Sequence, residues 1–271
     1  MHVEAVFSDL DGTFWSPSME IHPNSLAVVD ALDDQRIPFI IATGRRARGA
    51  HHGLKEYGLG SRPAILMNGA LVRSALDGET ISVVEIDESQ RVLEIFRTAD
   101  LEPVVYVDHP VNDMVFGETI AASEAYLSTT VGYERVDDID RAIADATVIG
   151  FGAFGFPLSL LEPIEAAINE AELATAVIGV SHLEGNHGIM VQAHKVDKQV
   201  GIEAWCEASG VDASQVAVIG DGHNDIEMLE AAKIAIVPNN APPEILELAD
   251  AVIPPNEAGG WEEIPSILGI S

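Results

Sequence analysis

The amino-acid sequence predicts an α/β fold, a doubly wound parallel sheet into which a second, α+β domain is inserted. Short apolar runs alternate with helical patterns over the first eighty residues, and the same alternation returns near the C-terminus. Between these two parts the pattern changes to strand pairs mixed with helices. The two ends of the chain are therefore expected to build one sheet, and the middle a separate domain.

The first part of the chain contains three predicted strands, "VEAVFSD", "IPFIIAT" and "PAILMNGA", with helical patterns between them. The strands "VAVIGD", "IAIVP" and "DAVIP" continue this order near the C-terminus. Short apolar strands separated by helices are typical of βαβ units with a parallel sheet. We expect residues 1–85 and 189–271 to form one Rossmann-like core.

The segment from 86 to 188 has a different pattern. It contains predicted strands in "EPVVYVD", "DMVFGE", "TVIGFGAF", "ATAVIGVS" and "GIMVQAH", and helices in "ESQRVLEIFRTAD", "DIDRAIADA" and "PLSLLEPIEAAINEAEL". A segment of this length can hold a hydrophobic core of its own. We expect an inserted α+β domain here.

The composition limits the possible partners and the compartment. With 44 acidic and 14 basic residues, the net charge of −30 disfavours nucleic acid and anionic membrane as partners. A negatively charged ligand must be met by local positive charge or by a metal. The single cysteine, Cys206, fits a reducing compartment, and we expect it to be a buried thiol. Without a signal-peptide pattern or a membrane-length apolar run, the chain is expected to be cytoplasmic.

Two aspartates, Asp9 and Asp11, follow the first predicted strand, and Gly12 and Thr13 come next. Alternate residues of a strand point to the same side, so both carboxylates can face one point beyond its carboxyl end. Ligands bind at that edge of open α/β sheets, and Gly12 allows a close backbone approach. Two close carboxylates suit a metal or acid/base chemistry, although an ordinary turn explains these residue types equally well.

Three further polar segments favour a site over a turn. They are Thr43-Gly44-Arg45 after the second strand, "GDGHND" from Gly220 to Asp225, and "HKVDKQVGIEAW", which carries Lys195 and Lys198. The first offers a hydroxyl and a guanidinium to a phosphate. The second adds Asp221 and Asp225 to the acidic pair, and such a cluster favours a hard cation such as Mg²⁺.

In this order, "DLDGT", "TGR", the lysine before a helix and "GDGHND" resemble the motifs of the haloacid dehalogenase superfamily of phosphohydrolases. The insertion resembles the larger cap of the Cof-type branch. The resemblance implies that Asp9 is the nucleophile and that Asp11 is the general acid and then the general base. It also implies that Thr43 hydrogen-bonds the transferring phosphoryl group and that Lys198 neutralises it.

The resemblance implies a Mg²⁺ ion held by Asp9, the main-chain carbonyl of Asp11, and Asp221, with Asp225 and Asn224 in support. Asn68, in "NGA" after the third strand, resembles a segment near the cap hinge, with a simple turn as the alternative. The residues expected to contact phosphate or substrate are Gly12, Thr13, Gly44, Arg45, Asn68 and Asn224.

Two positions depart from the family pattern, and the choice between two neighbouring lysines depends on the motif register. Phe14 stands where leucine is common, and Gln199 stands where glycine often follows the lysine. Lys195 lies so close to Lys198 that only the motif register favours Lys198. We expect Phe14 and Trp15 to pack in the core.

The predicted function is a Mg²⁺-dependent phosphatase for a small phosphorylated metabolite, either a sugar phosphate or a phosphorylated cofactor. A cap over the site would exclude water and macromolecules. The alternatives are a phosphomutase using the same aspartates and a non-enzymatic phospho-accepting module of the receiver type. The protein is expected to be a monomer or a small homo-oligomer.

Overall fold

A computed structural model describes residues 3–117, 127, 130–180 and 187–270. The chain divides into two compact units. The core unit comprises residues 1–45, 53–82 and 197–271, and the inserted unit comprises residues 46–52 and 83–196.

The elements are numbered in chain order. The strands are β1 (Ala5–Ser8), β2 (Phe39–Ala42), β3 (Ala64–Leu66), β4 (Leu71–Arg73), β5 (Thr80–Val83), β6 (Val104–Val107), β7 (Met114–Phe116), β8 (Tyr133–Arg135), β9 (Val148–Phe156), β10 (Thr175–Val180), β11 (His187–Gln192), β12 (Val216–Ile219), β13 (Ile234–Pro238) and β14 (Ala251–Ile253). The α-helices are α1 (Pro23–Asp34), α2 (Ala47–Leu54), α3 (Ser89–Thr98), α4 (Ile139–Ala144), α5 (Leu158–Glu170), α6 (Lys198–Ser209), α7 (Ile226–Ala231), α8 (Pro243–Leu246) and α9 (Ile264–Leu268). Short 3₁₀ helices span Lys55–Tyr57, Met67–Gly69, Ala213–Gln215, His223–Asp225, Asn256–Ala258 and Gly260–Glu263.

The sheet of the core unit has the strand order β14-β13-β12-β1-β2-β3-β4-β5. The strands from β14 to β3 are parallel, and β4 runs antiparallel to β3. From β1 the chain builds the sheet outward through β2 and β3 on one side, and it later returns to build β12 to β14 on the other. The carboxyl end of β1 is therefore the topological switch point, where sheets of this kind bind ligands.

Apolar side chains cover the central strands, which are buried along their whole length. Phe7 packs edge-on against Trp205 of α6, with ring centroids 5.5 Å apart. Phe14 lies 4.8 Å from the ring of Trp261 and 5.2 Å from that of Phe39, so it packs in the core as expected. Cys206 is also buried, and burial raises the pKa of its thiol to about 11.

Helix α6 begins beside the turn that follows β3. The Asp197 carboxylate caps the helix by accepting a hydrogen bond from the backbone N–H of Val200 at 2.9 Å. A Cβ atom on Gly69 would lie 1.9 Å from the carbonyl oxygen of Asp197, and one on Gly201 would lie 2.4 Å from Ile65. Only glycine permits this approach, which brings the first residue of α6 to the ligand-binding edge of the sheet.

The inserted unit has a second sheet, with the order β10-β11-β9-β6-β7-β8. Its strands pair antiparallel except for β7 and β8, which are parallel. Helices α3 and α5 supply Phe96, Leu161 and Ile164 to a core that also contains Phe151 and Val191 from the sheet. Strand β8 was not predicted, because its three residues are exposed and carry no apolar pattern.

The boundaries of the inserted unit differ from the predicted 86–188. Residues 46–52 group with it because Arg46 forms a buried ion pair with Asp113, and the backbone N–H of Arg48 donates to Asp113 at 2.7 Å. The unit also continues past 188, because β11 pairs along its length with β10 and most of its length with β9. Among the residues described, no helix is long and apolar enough to cross a membrane.

Candidate active site

Asp9 and Asp11 leave the sheet at the carboxyl end of β1. The backbone N–H of Asp9 still donates to the carbonyl of Ile219 at 2.9 Å, so Asp9 continues the parallel pairing with β12. Gly12 then turns the chain with a φ of +86°, a region that favours glycine. The two carboxylates have different surroundings, since Asp9 is 6% exposed whereas the Asp11 side chain is 48% exposed.

A buried lysine joins the two acidic segments. The Nζ atom of Lys198 donates to Asp9 and to Asp225, each at 2.6 Å, and its side chain is fully buried. Burial alone would lower the pKa of Lys198, but the two carboxylates outweigh it and raise the pKa. Lys195 is exposed, so Lys198 is the lysine of this site.

Asp225 also organises the loop that follows β12. One carboxylate oxygen accepts from the backbone N–H groups of Asp221 at 3.0 Å and Gly222 at 2.9 Å, while the other accepts from Lys198. Asp221 is held from the opposite side, since the Thr13 hydroxyl donates to it at 2.5 Å. The two motifs are thus locked together by hydrogen bonds.

Asp9, Asp221 and Asp225 form a candidate metal centre. Each offers a carboxylate oxygen, and these oxygens lie within 4.8 Å of one another. Burial raises the pKa of Asp9 to about 7 against the effect of Lys198, and it raises the pKa of Asp221 as well. Three carboxylates face one ammonium, so a divalent cation would balance the charge of the cluster. Mg²⁺ is such a cation, and it typically binds a small number of carboxylates together with water molecules. The donor set therefore fits the expected ion.

The Asp11 carboxylate lies outside this cluster and has its own partners. Arg45 donates to its two oxygens through Nε and Nη2, each at 2.7 Å, and the indole Nε1 of Trp15 donates at 3.0 Å. Burial tends to raise the pKa of Asp11, but Arg45 and Trp15 outweigh it and hold the pKa below its usual value. Arg45 was expected to contact phosphate, and in this structure its guanidinium pairs with Asp11.

The remaining candidates lie in the loops after β2, β3 and β12. The buried Thr43 hydroxyl accepts from the backbone N–H of Arg45 at 3.1 Å, and among the described residues no acceptor is found for its own hydrogen. The Asn224 amide donates to the side-chain oxygen of Asn68 at 3.0 Å. Asn68 is in the left-handed region with a φ of +51°, and a Cβ on Gly44 would lie 2.8 Å from its side-chain oxygen. These residues form one connected rim.

Sequence reasoning missed two tryptophans that support the site. Trp15 packs in the core as expected, but it also donates to Asp11. The indole of Trp261 donates to the carbonyl oxygen of Thr13 at 3.0 Å and so braces the turn after β1. Neither hydrogen bond has a sequence signal, because the partners of an indole N–H depend on packing. His223, in the loop after β12, contacts Glu244 at the exposed surface.

A family model described as haloacid dehalogenase-like hydrolase matches residues 6–263. The chain belongs to this family, which confirms the resemblance found in the sequence. Membership makes the protein a hydrolase and disfavours the receiver-like alternative.

Relatives and solved structures resemble the chain over nearly its full length. It is 26% identical over 267 residues to a phosphoglycolate phosphatase of Archaeoglobus fulgidus, covering 98% of this chain and 97% of that protein. It is 25% identical over 248 residues to a phosphoglycolate phosphatase of Methanopyrus kandleri, covering 92% of this chain and 89% of that protein. A crystal structure of a protein from Thermotoga maritima matches this structure with a TM-score of 0.81 at 20% sequence identity, and the match covers 98% of this chain and 97% of that one. The predicted α/β fold class is confirmed.

Gly12→Ala tests whether the turn after β1 leaves room for the acidic cluster. A Cβ at position 12 would lie 2.4 Å from the Asp221 carboxylate, so we expect displacement of that carboxylate in addition to backbone strain of about 1–2 kcal/mol. The measurement is the thermal unfolding midpoint with and without Mg²⁺.

Gly58→Ala is the matched control, because Gly58 has a φ of +74° and a Cβ added there would have no described atom within 4 Å. Without metal, Gly58→Ala should lose only the stability that backbone strain costs, and Gly12→Ala should lose at least as much. Only Gly12→Ala should lose most of the stabilisation by Mg²⁺. An equal response of the two variants to Mg²⁺ would contradict the placement of Asp221 beside the turn.

Proposed function

We propose that this protein is a Mg²⁺-dependent phosphatase that hydrolyses small phosphate monoesters through an aspartyl-phosphate on Asp9. The observation that carries the proposal is the buried contact of Lys198 with Asp9 and Asp225 at the switch point of the sheet. A phosphate dianion is repelled by a carboxylate, so attack requires positive charge at the nucleophile. Lys198 supplies part of that charge.

In the first half-reaction a carboxylate oxygen of Asp9 attacks phosphorus and the bond from phosphorus to the leaving oxygen breaks. Asp11 donates a proton to the leaving oxygen, so the product departs as an alcohol. The Thr43 hydroxyl has a hydrogen available for the transferring group. Asp11 must turn away from Arg45 at this stage, because the pairing with a guanidinium favours its ionised form.

In the second half-reaction water attacks phosphorus and the bond from phosphorus to Asp9 breaks. Asp11 accepts the proton of the water, and inorganic phosphate leaves. Arg45 and Trp15 lower the pKa of Asp11 and so favour its ionised form, which is the form that this step requires. The pairing with Arg45 therefore suits hydrolysis of the intermediate.

The metal would be held by Asp9, Asp221 and the main-chain carbonyl of Asp11. Asp225 supports them indirectly, since its oxygens are taken up by Lys198 and two backbone N–H groups. A bound Mg²⁺ supplies positive charge to the phosphoryl oxygens.

The substrate class that we propose is a small phosphorylated metabolite, such as a sugar phosphate, a phosphorylated cofactor or a phosphorylated hydroxy acid. The phosphoglycolate phosphatases among the relatives support the last of these. The insertion of over a hundred residues between the family's second and third motifs supports a small substrate over a macromolecule. We further propose that the enzyme acts in the cytoplasm as a monomer or small homo-oligomer, since its single cysteine fits a reducing compartment.

Asp9→Asn tests the nucleophile. With p-nitrophenyl phosphate and Mg²⁺, the wild-type protein should release free phosphate over many turnovers without a bisphosphate activator, and EDTA should stop the release. Asp9→Asn should lower the rate by about a thousandfold or more, because the amide is not a nucleophile.

Asp34→Asn is the control, since Asp34 is exposed on α1, and its rate should equal that of the wild-type protein. Retained multiple turnover in Asp9→Asn would remove Asp9 as the nucleophile. A requirement for a bisphosphate would instead favour the phosphomutase.

Asp221→Ala tests the metal site. The Mg²⁺ concentration for half-maximal activity should rise at least about tenfold, because a direct ligand is lost. The melting temperature of the metal-free variant should change much less than its Mg²⁺ titration, because the relief of repulsion among three close carboxylates offsets the loss of the hydrogen bond from Thr13. Glu244→Ala, which changes the exposed partner of His223, should leave the Mg²⁺ titration unchanged. An unchanged titration in Asp221→Ala would exclude it as a ligand.

A phosphate-release screen tests the substrate class. At saturating Mg²⁺, at least one of phosphoglycolate, hexose phosphates, pyridoxal phosphate and flavin mononucleotide should exceed a phosphoserine peptide in kcat/KM by at least about a hundredfold. Asp9→Asn protein serves as the blank. A preference for the peptide would contradict the small-metabolite assignment.

A further inference from the structure

The indole of Trp15 makes two contacts at the edge of the site. Its Nε1–H donates to Oδ1 of Asp11 at 3.0 Å, and its ring lies beneath the guanidinium of Arg45, whose Cζ is 4.9 Å from the ring centroid. Arg45 in turn donates to both oxygens of Asp11. The three side chains form a closed group in which each contacts the other two.

Packing fixes the indole itself. Trp15 is fully buried, and its backbone N–H donates to the carbonyl of Leu10 at 3.0 Å. A Cβ on Gly53 would lie 2.7 Å from the six-membered ring, so the end of α2 fits closely against it. The ring is therefore closely packed, and its N–H is directed at Asp11.

Asp11 needs such a restraint, because its side chain is half exposed and water can compete for its oxygens. Arg45 restrains only an ionised carboxylate, and this ion pair has to open when Asp11 carries a proton. The indole N–H is neutral and does not titrate near neutral pH, so its hydrogen bond is available in both half-reactions.

We propose that Trp15 is a positioning residue for proton transfer by Asp11. Its indole N–H fixes the orientation of the Asp11 carboxyl group, and its ring packs beneath the Arg45 guanidinium and holds it next to that group. The inference rests on the proposed phosphatase function, and it assigns Trp15 a role beyond packing. Trp15 itself moves no proton and acts only through Asp11.

The test compares two leaving groups of similar size. Phenol leaves far less readily than p-nitrophenol and so depends more on protonation by Asp11. Single-turnover release of each is measured with excess full-length enzyme and Mg²⁺, using phenyl phosphate and p-nitrophenyl phosphate. In Trp15→Phe, the ratio of the phenyl rate to the p-nitrophenyl rate should fall by about tenfold, while the enzyme concentration that gives the half-maximal single-turnover rate changes less than about twofold.

Trp261→Phe is the matched control. Trp261 is as buried as Trp15, and its substitution also removes one indole hydrogen bond to the turn after β1. That bond goes to the backbone carbonyl of Thr13 and not to Asp11. Its leaving-group ratio should stay at the wild-type value. An equal ratio in Trp15→Phe and in the wild-type protein overturns the inference.

A double variant separates positioning from packing. If Trp15 acts through Asp11, then Asp11→Ala combined with Trp15→Phe should release p-nitrophenol within about twofold of the rate of Asp11→Ala alone. A further loss of tenfold or more would show that Trp15 acts independently of Asp11, and would overturn the inference.

If Trp15→Phe fails to melt cooperatively, the contact is tested by the indole ¹⁵N–¹H resonances of labelled wild-type and Asp11→Ala protein. Of the three tryptophan signals, only that of Trp15 should shift strongly, and an unshifted Trp15 signal overturns the inference. If the wild-type protein releases neither phenol nor p-nitrophenol from the two substrates, the phosphatase function itself is refuted. If the wild-type protein is active and the Trp15→Phe variant has the same leaving-group ratio, only the role of Trp15 is refuted.

Discussion

The arrangement of the site depends on one buried ammonium group. Lys198 lies between Asp9 and Asp225 with no exposed surface, and an ammonium removed from water is tolerated only when carboxylates compensate it. To satisfy it, the end of β1, the start of α6 and the loop after β12 must meet at one point. The close approach of α6 to the turn after β3, which Gly69 and Gly201 permit, is what makes that meeting possible.

The same cluster retains excess negative charge. Asp221 joins Asp9 and Asp225, so three carboxylates face one ammonium within a largely buried space. In a chain of net charge −30, an anionic substrate has little general attraction to the surface. Recognition of phosphate would therefore depend on the few cationic groups at the site. This is the physical reason why a metal requirement and a phosphate substrate are consistent with so acidic a protein.

Two aspartates two residues apart have opposite environments. Burial raises the pKa of Asp9 to about 7, whereas Arg45 and Trp15 hold the pKa of the half-exposed Asp11 below its usual value. Neighbouring carboxyl groups whose pKa values are pushed apart are suited to different chemical roles. A nucleophile that is held by a lysine and a base that is held by an arginine fit this division.

The sequence by itself determined the parallel sheet, the inserted domain and the position of Asp9 and Asp11 at the carboxyl end of the first strand, because strand periodicity and motif order depend only on local pattern. Only the tertiary structure decided that Lys198 and not Lys195 is buried between carboxylates, that Arg45 pairs with Asp11, and that residues 46–52 group with the insertion. The role of the Trp15 indole belongs to the same set. These outcomes depend on side chains far apart in the chain that meet by packing, and the direction of a buried hydrogen bond has no counterpart in local sequence.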